Sequence, residues 1–267
     1  MVRSARRRRR PLLVAVVVIV VLAGVVISVR RTGSHQQASG PPCEASVGKA
    51  SYPLSIDQAA NATTIAAVGK QLGLPDHAVT VALAAALQES ELHNLPGGDL
   101  DSLGLFQQRP SQGWGTVSQI MTPRYAALAF YRHLAVVRGW QVLSVTDAAQ
   151  AVQHSAAPDA YAQWEPAARL LAEVLTGEVA AGLGCHFPKS GSRTIDGSLT
   201  QAVTDELGAP ALGVAVPPAR GWTVASWLVG HAQQYGIKSV VFSGQRWTPK
   251  GRTWKTDSRD GPEIQIA

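Results

Sequence analysis

The sequence predicts a mainly α-helical domain behind one N-terminal transmembrane helix, followed by a small α+β domain. Three observations carry this. Leu12–Val29 is an apolar run of 18 residues between two blocks of arginine, close to the roughly 20 residues a helix needs to cross a bilayer. From Ser55 to about Thr176, apolar residues recur at helical spacing. Beyond Gly177 the composition turns to glycine and serine, then to short β-like stretches.

The charge supports the first element. The 267 residues hold 24 Lys+Arg and 18 Asp+Glu, a formal charge of +6. Residues 1–31 carry eight arginines and no acid, so the remainder has 16 basic and 18 acidic residues, a net of −2. The basic balance therefore sits in one segment, and no nucleic-acid-binding fold is supported. Arginines ahead of an apolar span stay cytoplasmic. Residues 1–11 are accordingly read as a cytoplasmic tail, 12–29 as an anchor, and the bulk as extracytoplasmic in a single-pass cell-membrane protein. A cleavable signal peptide is the competing reading, but its apolar region usually runs about 7–15 residues. Residues 30–50 are polar and rich in Gly, Ser and Pro, and read as a linker.

Two cysteines exclude a disulfide-dense scaffold and any four-thiolate metal site. Outside the cytoplasm Cys43 and Cys185 are expected to pair; otherwise they are two free thiols.

Within residues 51–180, Ser55 and Gln58 make a capping-box pattern ahead of IDQAANATTIAAVGKQLG. Pro75 suits the first turn of the next helix, which runs through AVTVALAAALQES to about Leu92 and is apolar nearly all round, hence buried. His93–Gly115 reads as loop. Helices resume at Pro123–Val137, at about Thr146–His154 and at Asp159–Leu175. Residues 181–198 read as a second linker. The α+β part, 199–267, is expected to hold a strand at 212–216, a helix starting at a Thr223 cap, and strands in SVVFSG, QRWT and EIQIA.

The most informative position is Glu89, at the end of that buried helix. A carboxyl group leaving an apolar helix into a cleft is partly desolvated, which favours the protonated form a general acid needs. A helix-end glutamate that is merely solvated or paired with an arginine is the plainer alternative. About fifteen residues on comes Ser102-Leu103-Gly104-Leu105-Phe106-Gln107-Gln108-Arg109-Pro110. Its glycine permits close backbone approach, and the amides of Gln107 and Gln108 can hydrogen-bond sugar hydroxyls or N-acetyl groups. Phe106, Trp114, Tyr131, Tyr161 and Trp164 are candidates for stacking on sugars, with core packing as the alternative for each. Asp99 and Asp101 are the nearest candidates for a second carboxylate, their alternative being a solvated turn.

Glu-Ser at a helix end followed by Ser-x-Gly-Leu-aromatic-Gln resembles the lysozyme-like transglycosylase family, including soluble lytic transglycosylases and goose-type lysozymes. QESELHNLPGGDLDSLGLFQQRPSQGWGT with PRYAALAFYRHL and AVQHSAAPDAYAQWEP resembles actinobacterial membrane-anchored exported proteins carrying such a domain. The resemblance covers roughly residues 50–180. It implies a lysozyme-like fold and cleavage of the β-1,4 bond between N-acetylmuramic acid and N-acetylglucosamine in peptidoglycan. It makes Glu89 the general acid/base, Ser90 the serine that follows it, and Gln107 the glutamine lining the sugar cleft. Tyr161 matches the tyrosine of the last cleft helix, although Gln153-His154-Ser155-Ala156 stands where a Tyr-Asn-Ala-Gly segment is usual. Ser102, Gly104, Phe106, Gln108 and Trp114 complete the expected substrate-binding set. Peptidoglycan glycan strands are the implied partner; no cofactor is implied.

WTVASWLVGHAQQYGIKSVVFSGQRWTPKGRTW resembles the distal half of exported cell-wall peptidase-like domains, which bind zinc through two histidines and an aspartate. Residues 199–267 hold only His231, too few ligands for zinc. A degenerate, metal-free domain is expected. The rival to catalysis is a peptidoglycan-binding or envelope scaffold protein that keeps the cleft without turnover.

Overall fold

The computed structural model describes residues 40–187, 197–208 and 211–267. Strands β1 (Cys43–Val47) and β2 (Ala50–Leu54) form an antiparallel hairpin. Gly48 at its turn has φ +58°, the left-handed region open to glycine. β3 (Leu183–Cys185) pairs with the other side of β1, giving the order β2-β1-β3. Cys43 and Cys185 face each other in that register and are joined by a disulfide. Both β1 and β3 lie in segments read from the sequence as linker. Runs of three to five residues beside Gly and Pro carry too little alternation to announce a strand.

Helix α1 (Ile56–Gln71) starts with the expected capping box: the Gln58 N–H donates to Ser55 Oγ, and the Ser55 N–H to Gln58 Oε1. Its residues from Ala59 to Gly69 are almost all buried, because α2 (Asp76–Ser90), the helix over Pro123–Val136 and two C-terminal helices pack around it. Pro75 is the N-cap of α2, one position ahead of the expected first turn. Next come α3 (Val117–Ile120), α4 (Pro123–Val136) and α5 (Val145–Gln153). The helix expected over 159–175 is divided: Pro158–Trp164 is a 3-10 helix, and α6 (Glu165–Leu175) follows.

The C-terminal part adds α7 (Gly197–Leu207), α8 (Pro218–Gly230), α9 (Ala232–Tyr235), β4 (Val240–Phe242), β5 (Gln245–Thr248), β6 (Gly251–Thr256) and β7 (Gln265–Ile266). The four strands form an antiparallel sheet of order β6-β5-β4-β7. Sequence reading placed a strand at 212–216, but Gly213 at φ +69° breaks the extended run, and only Ala215 bridges to Glu263. It also missed α7 and β6.

The expected fold class needs correction on two points. About half of the described residues are helical, and two small antiparallel sheets accompany the helices, so the fold is mixed rather than mainly α. Pro41–Ala267 is one compact unit, and Leu199, Val203, Trp222, Leu228 and Trp247 share a single core with α1 and α2. At the α1–α8 contact, a Cβ on Gly230 would lie 2.7 Å from Thr63 Oγ1, so a larger residue would push the helices apart. The expected membrane-spanning helix and membrane localisation find no support in the structure: no helix among the described residues is long and apolar enough to cross a membrane. The run 12–29, like the tail before it, lies outside the described residues.

Candidate active site

Helix α2 ends in a clamped C-terminus. Glu91 takes the left-handed conformation, and the N–H groups of Glu91 and Leu92 donate to Leu87 O and Ala86 O, which satisfies carbonyls the helix leaves open. Side chains of α1 fix the next two carbonyls: Gln58 Nε2 donates to Glu91 O and Asn61 Nδ2 to Leu92 O, each over 2.8 Å. Glu89, one turn back and half-buried, is therefore carried on a rigid helix end.

The loop beyond folds back onto this end. Leu103 and Gln108 exchange backbone hydrogen bonds, closing a tight turn over Gly104–Gln107. Gly104 has φ +74°, and a Cβ there would lie 2.8 Å from Ile120 O, so only glycine fits. Ser90 Oγ donates to Leu105 O over 2.7 Å. The serine after the acid thus fastens the turn to the helix. Gln153 Nε2 donates to Phe106 O, tying the end of α5 to the same turn.

Tyr161, in the 3-10 helix ahead of α6, is fully buried, and its hydroxyl donates to Glu89 Oε1 over 2.8 Å. Burial, then the neighbouring Glu89 charge, pushes the phenol well above its usual range. Tyr161 thus stays protonated as the donor. The second Glu89 oxygen has no protein partner among the described residues.

Glu89 opens into a polar cleft of about 440 Å³, within the range of small-ligand pockets. One wall is the loop: Asp99, Ser102, Gln107, Gln108, Arg109, Gln112 and Trp114. The other is the end of α5 with Gln153, His154, Ser155 and Ala156. His154 is the left-handed C-cap of α5 and is exposed.

The expected substrate-binding residues divide by this geometry. Ser102, Gln107, Gln108 and Trp114 line the cleft with Glu89. Ser90, Gly104, Phe106 and Tyr161 stand behind its wall and shape it. Gln108 is largely a strut, 2% exposed, with Nε2 donating to Ala126 O. Gln107 is the freer amide; its Nε2 reaches Gly104 O over 3.2 Å, and its Oε1 lies against Gly98. Trp114 is half-buried, one ring face stacked on His133 at 3.8 Å. Phe106 stacks on Phe130 in the core, and the Tyr131 hydroxyl donates to Ile65 O from a buried position. Trp164 Nε1 donates to Gln88 Oε1. Core packing thus accounts for Phe106 and Tyr131.

Of the two candidate second carboxylates, Asp101 is committed. It accepts from Arg109 Nε at 2.7 Å and from the Ser111 N–H and hydroxyl, which hold it far below the usual carboxylate range. Asp99 is exposed at the cleft wall. Sequence reasoning did not single out Arg109 as a cleft residue, because the Asp101 partner that orients it lies across a turn with no periodic signature.

His231 is buried between α1 and α8. Its Nδ1 faces Trp227 O at 3.0 Å and its Nε2 faces Thr64 Oγ1 at 3.4 Å. Burial lowers its pKa against the opposing Glu206 charge and Trp227 carbonyl, so the ring is a neutral packing group. Among the described residues, no group of three or more His, Cys, Asp or Glu is placed to hold a metal ion. No protein-family model matches the chain, and no match is found among curated proteins.

Proposed function

We propose that the protein cleaves peptidoglycan glycan strands at the β-1,4 bond between N-acetylmuramic acid and N-acetylglucosamine, with Glu89 as general acid/base. One observation carries the reading: a half-buried carboxyl at a rigid helix end opens into a polar cleft, and Tyr161 holds one of its oxygens. Protonated Glu89 gives its proton to the glycosidic oxygen as the bond to the anomeric carbon breaks. The resulting carboxylate then takes a proton from the hydroxyl that attacks that carbon. That hydroxyl is the muramyl 6-hydroxyl, giving an anhydro product, or a water. With Asp101 bound to Arg109, Glu89 serves in both steps.

The rival reading is glycan binding without turnover. Purified peptidoglycan incubated with the protein and with Glu89→Gln separates them. Soluble muropeptides released by the wild type alone support cleavage. Retention on insoluble peptidoglycan without release by either protein supports binding, and no retention and no release removes both.

A further inference from the structure

Arg109 is the one arginine or lysine among the residues lining the cleft. Its side chain is 28% exposed and held by a single bond, Nε to Asp101 Oδ1. Asp101 divides its two oxygens among three donors, since the Ser111 N–H and hydroxyl also reach it. The carboxylate therefore orients the guanidinium without saturating it. Nη1 and Nη2 have no protein partner among the described residues. A guanidinium with its Nε pinned presents its two terminal groups as a planar fork, the geometry that matches a carboxylate with two parallel bonds. Asp99 on the same cleft disfavours an anion elsewhere in it, so an acidic group is favoured at the Arg109 corner.

We infer that Arg109 is a specificity-determining residue of the cleft and binds a carboxylate of the glycan substrate. The inference rests on reading the cleft as a peptidoglycan site. That polymer offers such a group in two places: the lactyl carboxylate of a muramic acid without peptide, and the carboxylates of a stem peptide.

The test is a binding titration of the Glu89→Gln protein, which holds substrate without turnover, against three glycans. These are peptide-free strands, the same strands with carboxyls converted to methylamides, and peptide-bearing strands. Peptide-free strands binding about tenfold more tightly than amidated ones, the value of one charge-assisted hydrogen-bond pair, assigns the lactyl carboxylate. A preference for peptide-bearing strands alone assigns the stem peptide. In either case the preference falls to near one when Arg109→Gln is added, while Arg109→Lys keeps part of it. Should Arg109→Gln fail to fold, the salt dependence of the Glu89→Gln titrations carries the test, because only the carboxylate-bearing glycans should weaken as salt rises. Equal binding of all three glycans, or a preference that survives Arg109→Gln or high salt, overturns the inference and leaves the cleavage reading standing. Binding of none of them overturns both.

Discussion

The phenol of Tyr161 and the carboxylate of Glu89 meet over 2.8 Å, one carried by a 3-10 helix and the other by the end of α2. Because Tyr161 remains a donor, the contact steers Glu89 into a single orientation. Tyr161→Phe removes that bond and keeps the packing. Turnover on peptidoglycan should drop about tenfold, equivalent to about 1.4 kcal/mol, with little change in KM. A kcat unmoved by the substitution would assign Tyr161 to packing alone.

Gln107 depends on a residue outside the motif that drew attention to it. A Cβ on Gly98 would lie 1.7 Å from Gln107 Oε1. The obstructed atom is the end of a flexible side chain, so Gly98→Ala should cost little stability and should turn Gln107 away from its present position. Apparent KM for glycan is expected to rise severalfold at nearly constant melting temperature. An unchanged KM would show that Gln107 contributes nothing to substrate holding.

The Cys43–Cys185 bridge closes a separation of 142 residues. The indole Nε1–H groups of Trp247 and Trp254 then anchor β3 to the C-terminal sheet by donating to Cys185 O and Leu183 O. Loop-closure entropy assigns about 4–5 kcal/mol to a bridge of this span. The Cys43→Ser/Cys185→Ser protein should unfold at markedly lower denaturant. A midpoint within experimental error of the wild type would mean that β1 and β3 are held by their hydrogen bonds alone.

Two carboxyls near the start of α2 predict a pH dependence. Hydrogen bonding to Asp76, then burial and the Asp76 charge, push Glu178 up to about 7. For Asp76, burial is opposed by hydrogen bonds from Glu178, Lys70 and Thr176, and the carboxyl is lowered. A carboxyl raised on folding stabilises below its unfolded pKa, roughly 4.5, and that stability is lost as pH rises through about 7. Glu178 is mostly exposed, so the effect is small and screened. Melting temperature should fall modestly between about pH 5 and 8, and Glu178→Gln, which keeps a donor to Asp76, should flatten that slope. A steeper slope in the variant would contradict the shared-proton arrangement.

The legible parts of this molecule were those with a local code. The Ser55/Gln58 box and the all-round apolar α2 are each legible from neighbours within one or two turns of chain. The β1–β3 pairing was illegible because its partners lie 142 residues apart in strands of five and three residues. The single core joining residues 199–267 to α1 was hidden for the same reason, and the Gly- and Ser-rich stretch between them reads as a boundary. Within the cleft, Glu89 was visible as a carboxyl ending an apolar helix. The burial of Phe106, the strut role of Gln108 and the pinning of Arg109 by Asp101 each depend on tertiary contacts that a linear motif does not encode.

Mass spectrometry of the soluble fraction after digestion of purified peptidoglycan, run in parallel for the wild type and Glu89→Gln, reads glycan cleavage by Glu89 without an intermediate assay. Disaccharide-containing muropeptides cut at N-acetylmuramic acid, anhydro or hydrolysed at that sugar, are expected from the wild type and none from the variant. Identical products from both proteins, or no products from the wild type, would contradict cleavage by Glu89.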